Sequence, residues 1–411
     1  MHCRFEDRQT GSALVMEGEP QRLAVASAAT LDDTLALLDA ASAAGKWIAL
    51  ALDYELGEWL EPSLNPAASP AANTPTARQP GGPRLRAWIF DSARREAPWQ
   101  PDPGRAAGIT AITPRQARAD YLKRIESVRT RIAQGDVYQI NYTMPLDVSF
   151  EGHTETLYRQ LASRHPCAHA AYIEDGDYRL LSFSPELFVA RQGDTLICRP
   201  MKGTAPRHAD PATDFALGQE LRASAKNLAE NLMIVDLLRN DLGRLARTGS
   251  VRVDPLFELE RYPSVWTLTS TIHASAPQLP LGRLLRALFP CGSITGAPKI
   301  AAMQHIRALE PWPRGIYCGS IGWIAPGGDC SLNVAIRTLV STTPGKGAYH
   351  VGGGIVHDSD AAMEWEECLW KARLLLDACR DDSVLSRWSA RTTPTPGPRH
   401  AATDRDSAHG T

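Results

Sequence analysis

Leu180-Leu181-Ser182-Phe183-Ser184-Pro185-Glu186-Leu187-Phe188-Val189-Ala190-Arg191-Gln192-Gly193-Asp194-Thr195-Leu196-Ile197-Cys198-Arg199-Pro200-Met201-Lys202-Gly203-Thr204 sets three apolar runs beside a glutamate and a lysine. Leu187–Val189 and Thr195–Cys198 flank Gln192-Gly193-Asp194, whose residue types suit a hairpin turn. A tight turn puts residue 186 across from about 200 or 201, so that Glu186 and Lys202 share one face of the sheet. A lysine kept from water loses proton affinity, and the free amine is a nucleophile. Gly203 beside it removes a side chain and lets a ligand approach the backbone.

Outward from this hairpin, helices and strands mix without strict alternation, which predicts an α+β fold rather than a doubly wound sheet. Toward the N-terminus, Gln116 to Gln134 has helical spacing and Val137 to Tyr142 alternates as a strand. Toward the C-terminus, Gln219 to Leu238 reads as the longest helix, apolar nearly all round, with Glu230 as a buried carboxylate in its middle. Strands follow at Val265 to Ile272, Ile316 to Ile324, Leu332 to Leu339 and Ala348 to Val351, then a helix from Asp360 to Arg380 capped by Asp358 or Ser359.

Residues 1–110 form an N-terminal region with a helix at Leu31 to Ala44 and strands at Trp47 to Leu52 and Arg86 to Phe90. Its segment 61–83 is rich in Pro, Ala, Asn and Thr and is expected to be a mobile loop. Residues 114–382 hold the chemistry, and 385–411 make a Pro/Thr/Arg-rich tail expected to be disordered.

The 411 residues carry 44 Lys plus Arg against 46 Asp plus Glu, so no global field draws in nucleic acid or an anionic membrane. No apolar run approaches the roughly 20 residues of a membrane span, and the N-terminus lacks a signal-peptide pattern. Eight cysteines without a CxxC pair read as thiols of a reducing cytoplasm.

Several residues then carry two readings each. Glu364 and Glu367 lie on one helix face and, with Glu230, could make an oxygen-only site for Mg²⁺; taken alone, an i,i+4 pair of Glu367 with Lys371 is favoured. Gly352-Gly353-Gly354 either offers backbone N–H groups to an anion or marks a bulged strand end, and no phosphate-loop pattern supports a nucleotide. Arg337 ends an apolar strand and binds either a substrate carboxylate, with Tyr317 adding a hydroxyl, or an internal acid. His153-Thr154-Glu155 has no cysteine elbow to complete a glutaminase triad.

In order, Asp136-Val137-Tyr138-Gln139-Ile140-Asn141, Ser184-Pro185-Glu186, Arg199 to Thr204, Ala229 to Asp241, Gly292-Ser293-Ile294-Thr295-Gly296-Ala297-Pro298-Lys299, Ala335-Ile336-Arg337 and Gly352 to Val356 resemble the blocks of the chorismate-utilising enzymes. That resemblance runs from about Gln116 to Asp377 and implies large mixed or antiparallel sheets in a sandwich flanked by helices. The family includes anthranilate synthase component I, aminodeoxychorismate synthase component I, and isochorismate and salicylate synthases. Members that activate water carry a lysine where this chain has Gln139, so the resemblance implies ammonia as the nucleophile. Anthranilate synthases carry alanine at Lys202 and histidine at Thr267; lysine at 202 is similar to the aminodeoxychorismate branch.

The same resemblance implies site roles. Lys202 would add to chorismate and Glu186 would be the general acid. Mg²⁺ would be held by Glu230 and Glu367, with Glu364 behind them. Gly203, Thr204, Thr295, Tyr317, Arg337, Gly352, Gly353, Gly354 and Lys371 would bind substrate. Asn227 stands where relatives place an acid, and no tryptophan-feedback motif is evident. Ammonia would come from a separate glutamine amidotransferase subunit. The alternatives are an anthranilate synthase component I and a non-catalytic chorismate-binding protein.

Overall fold

A computed structural model describes residues 1–64, 82–262, 265–379 and positions 381, 384, 385 and 388. The loop expected over 61–83 therefore lies mostly outside the described residues, as does nearly all of the tail expected over 385–411.

Two large sheets face each other. One runs Gly296–Ala297, Gln139–Glu151, Lys346–Ile355, Thr338–Thr343, Tyr178–Ser184, His169–Asp175, His2–Asp7, Ser12–Glu17, Ser92–Glu96, with Gly108–Pro114 also on Gln139–Glu151. The other runs Arg252–Val253, Ile272–Ser275, Thr195–Arg199, Leu187–Gln192, Cys330–Asn333, Ser320–Ile324, Trp47–Leu52, Leu85–Phe90, Gln21–Val25. Among the described residues every strand pairs antiparallel with its neighbours. Phe5, Ala171, Ile173 and Leu180 of the first sheet pack on Ala49, Trp88 and Ile321 of the second, so apolar inner faces hold the sandwich. Strands of residues 1–110 extend both sheets. The architecture is α+β, as expected.

The hairpin has the expected register: Leu187 pairs with Arg199, which leaves Glu186 beside Pro200. Pro200 cannot donate to a ladder. There the chain leaves the second sheet and starts a small one, Met201–Pro206, Val265–Thr269 and Glu258–Arg261. Its register shifts between Lys202 and Thr204, and Gly203 in that bulge has φ +83°. A β-bulge re-aims the side chain next to it, here Lys202.

Four expected elements are broken, and the strand at Val265 to Ile272 is one of them: it is Val265–Thr269 in the small sheet and Ile272–Ser275 in the second large sheet. The long helix is two, Pro211–Ala223 and Ala225–Gly243, because Ser224 is extended and its hydroxyl accepts from Asn227 N as the second helix's N-cap. That helix buries Asn231, Ile234, Val235 and Leu238 but exposes Leu232, so it packs on one side and Glu230 is only half-buried. Leu332 to Leu339 is likewise two strands in different sheets, with Arg337 at φ 51° where the chain crosses between them. The C-terminal helix is Ala361–Lys371 followed by Arg373–Leu376, and its cap is Asp360, which accepts from Met363 N.

Arg314 ties the sandwich together beneath these crossings. Its buried guanidinium donates to both oxygens of Glu310 (2.9 and 2.7 Å), to Ile294 O at 3.0 Å and to Asn141 O at 2.5 Å. It also stacks 4.3 Å over the Tyr54 ring, and Glu310 accepts in turn from Thr143 N at 2.9 Å. Removing one partner of a buried pair strands the other's charge, so Arg314→Met should cost about 3–5 kcal/mol in urea unfolding. A loss under about 1 kcal/mol would show that the clamp contributes little.

Candidate active site

The crossings leave a cavity of about 440 Å³, a size suited to a small ligand. Its wall gathers side chains from five places: Glu186 at the hairpin's base, Lys202 to Thr204 on the bulged strand, Lys226, Asn227 and Glu230 on the helix Ala225–Gly243, Arg337 at the sheet crossing, and Glu364, Glu367 and Lys371 on the last long helix. Tyr317, His350, Gly352 and Gly354 complete it.

Of the residues expected at the site, two stand apart from the wall. Thr295 is buried, and its hydroxyl is spent on Cys291 O and Gly292 O, both at 3.2 Å. Gly353 faces the carboxylates from behind: a Cβ there would lie 2.9 Å from Glu364 Oε2 and 3.6 Å from Glu367 Oε1. The others line the cavity together.

Glu186 is buried and accepts a 2.7 Å hydrogen bond from Ser293 Oγ. Burial raises its pKa above the usual carboxyl value, against the Ser293 hydroxyl, the Lys202 charge and the Met201 N–H, which favour the anion. Burial lowers the Lys202 pKa, Glu186 opposes that, and Lys371 adds to it; Glu230 and Glu367 are also within electrostatic reach. The arrangement thus makes an easily lost ammonium proton meet a carboxyl that keeps its own longer than usual.

Gly354 has a packing role. A Cβ there would fall 2.0 Å from Gln139 Nε2, so only glycine lets that amide lie across the strand. Gln139 Oε1 is buried on the cavity wall without a partner among the described residues, an acceptor with no basic lone pair to take a proton from water.

Arg337 presents a cation with a left-handed backbone, a conformation a bulky residue adopts only where its surroundings hold it. Its carbonyl accepts from Phe183 N at 3.0 Å, and no acid among the described residues forms an ion pair with it. Tyr317 lines the same cavity.

At the acidic end, Lys371 Nζ bonds Glu367 at 2.7 Å and Gly352 O at 2.6 Å. Against the cost of burial, Glu367, the Cys368 thiol and Glu364 raise the Lys371 pKa. Lys371 in turn lowers that of Glu367. Burial raises the Glu364 pKa and Glu367 adds to the rise, while Ser359 Oγ opposes it from 2.7 Å.

Hard carboxylate oxygens are what Mg²⁺ takes. Glu364 and Glu367 converge over Gly353, and Glu230 reaches the cavity from the opposite helix. Among the described residues, however, no three such side chains gather closely enough to hold an ion as they stand. Lys371 pairs with Glu367, and Lys226 approaches Glu230 to 4.0 Å. The donors fit Mg²⁺ in kind.

Sequence reasoning passed over Ser293, Lys226 and His350. Lys226 was accessible through its i,i+4 spacing to Glu230, and His350 through the period-2 alternation that puts it on the face of Gly352 and Gly354. Only the fold brings Ser293 to Glu186.

Comparison with known proteins agrees with this architecture. The model of the chorismate binding enzyme family matches residues 10–377. Aminodeoxychorismate synthase component 1 of Klebsiella aerogenes is 43% identical over 262 residues, 63% of this chain and 58% of that protein. Anthranilate synthase component 1 of Streptomyces coelicolor is 41% identical over 280 residues, 66% of this chain and 54% of that one. The solved anthranilate synthase component I of Streptococcus pneumoniae superposes with a TM-score of 0.70 at 26% identity, covering 80% of both chains. The chain spans about half the length of the curated relatives it matches. With its sandwich, the cavity at the sheet crossing and a family match over almost all described residues, the chain belongs to the chorismate binding enzymes.

Proposed function

We propose that this protein is an aminodeoxychorismate synthase component I, converting chorismate and ammonia to 4-amino-4-deoxychorismate and water. The observation that carries this reading is Lys202: its pKa is lowered by burial, and it shares one cavity with Glu186, whose pKa is raised. In the rival product class of anthranilate synthases the resemblance puts alanine at this position.

The steps follow from these groups. Lys202 as free amine adds at ring carbon C2, the double bonds shift, and the C4 hydroxyl departs as water with the proton of Glu186. Ammonia adds at C4, the double bonds shift back, and the C2–N bond to Lys202 breaks. Gln139 Oε1 accepts from the incoming N–H and aligns the nitrogen lone pair without deprotonating water. Arg337 and Tyr317 bind the enolpyruvyl carboxylate, with Gly203, Thr204 and the backbone of Gly352 and Gly354 closing on the ring. Glu230, Glu367 and Glu364 would hold Mg²⁺, which when bound draws charge through the ring carboxylate. Ammonia is supplied by a glutamine amidotransferase subunit or by free ammonium, and eight free thiols suit the reducing cytoplasm.

The test is incubation with chorismate, Mg²⁺ and ammonium, followed by an aminodeoxychorismate lyase. Formation of 4-aminobenzoate supports the reading; anthranilate fluorescence or no turnover overturns it. Under the same conditions Glu230→Gln should raise the Mg²⁺ needed for half-maximal rate by roughly tenfold or more, since one carboxylate charge is lost. An unchanged Mg²⁺ dependence would remove Glu230 from the metal site.

A further inference from the structure

Glu186 has to be a carboxylic acid before it can give a proton away, yet it must not hold that proton too firmly. Its surroundings oppose each other on this point. Burial favours the neutral acid. The groups facing Glu186 are few and come from different elements: Lys202 and the Met201 N–H on the bulged strand, Ser293 and Cys291 on the turn around Gly292–Ile294, and Cys318 beside Tyr317. Both thiols are pushed far up by burial, Cys291 to about 11 and Cys318 to about 12, so they remain neutral S–H groups.

A short chain of hydrogen bonds leads from one of these thiols to the carboxyl. Cys291 Sγ lies 3.3 Å from Ser293 Oγ, and Ser293 Oγ lies 2.7 Å from Glu186 Oε1, all three buried. A protonated thiol donates, and sulfur is a poor acceptor. Cys291 therefore gives its hydrogen to the Ser293 oxygen, which leaves the Ser293 hydroxyl hydrogen for the carboxylate. The glutamate backbone is fixed as well: its carbonyl accepts from Val334 N at 3.0 Å.

We propose that Ser293 is the positioning residue of the general acid: its hydroxyl, oriented by Cys291, aims the Glu186 carboxyl and limits how tightly that carboxyl holds its proton. The assignment rests on the proposed function for the word acid, but the hydrogen bond and its effect on Glu186 do not require turnover. A donor to the charged form stabilises the anion, so removing it raises the proton affinity.

The experiment is an infrared titration of the purified protein, following the protonated-carboxyl C=O band that disappears in Glu186→Gln. In Ser293→Ala the midpoint of that band should move up by about one pH unit. Ser293→Thr, which keeps the hydroxyl, should titrate like the wild type. Ser293→Cys keeps the size with a weaker donor and should move the midpoint upward as well, which serves if the alanine variant does not fold. An unmoved midpoint in Ser293→Ala or Ser293→Cys, or a shift in Ser293→Thr as large as in Ser293→Ala, overturns the proposal. If the wild type makes no product from chorismate, the functional reading fails separately, because the midpoint is read without substrate turnover.

Discussion

Lys202→Ala is expected to lose on the order of 10³-fold in aminodeoxychorismate formation, equivalent to about 4 kcal/mol of transition-state stabilisation. Neither remaining cavity lysine can replace it. Lys371 is committed to Glu367 and to Gly352 O, and that acid raises its pKa, so it stays an ammonium ion. Lys226 is exposed at the cavity's rim, where it approaches Glu230 to 4.0 Å. Burial holds the proton affinity of Lys202 below the usual lysine value, against the pull of Glu186. The substitution leaves the bulge intact, because that depends on Gly203 at φ +83° and not on the lysine side chain. A second measurement addresses the bond itself. Intact-mass spectrometry after mixing with chorismate in the absence of ammonia should show an adduct of chorismate less water, absent from Lys202→Ala. Full activity in the variant would sink the nucleophile assignment.

The route from sequence to this site succeeded where local rules control geometry. A tight turn at Gln192-Gly193-Asp194 sets the hairpin register, and the register places Glu186 next to the strand that carries Lys202. Helical spacing likewise foretold the ion pair of Glu367 with Lys371. It failed where tertiary packing overrides a continuous apolar pattern. Leu332 to Leu339 is apolar through the point where the chain changes sheets, and nothing local marks Arg337 as left-handed. Ser224 breaks the long helix through its cap, and Glu230 is half-exposed because its helix lines a cavity whose far wall comes from distant segments. Thr295 has the right residue type for binding, but its hydroxyl is consumed by the turn it stands in. The fit of Gln139 over Gly354 joins segments far apart in the chain and has no local signature.

Glu186→Gln tests the acid and, through pH, the coupling of the acid to the amine. Amide cannot supply a proton to the departing hydroxyl, so the rate should fall by about 10²–10⁴-fold. The shape of the profile is more informative than the loss. The competent form has Lys202 neutral and Glu186 protonated, one proton on the pair. Below the lower of the pair's two apparent pKa values both groups are protonated and Lys202 cannot attack. Above the higher one neither holds a proton and the leaving group is not assisted. Rates at constant free ammonia should therefore describe a bell, whose limbs belong to the pair rather than to either residue. In Glu186→Gln there is one titrating group left, so the descending limb should vanish and the rate should rise to a plateau. The ascending limb then reports Lys202 alone. Glu186 is one of the groups that hold the proton on that lysine, against burial. Its loss should bring the lysine pKa below the value it has beside the carboxylate. A bell that survives in Glu186→Gln, or a rate within tenfold of wild type, would assign the proton to another group and leave Glu186 as a structural acid.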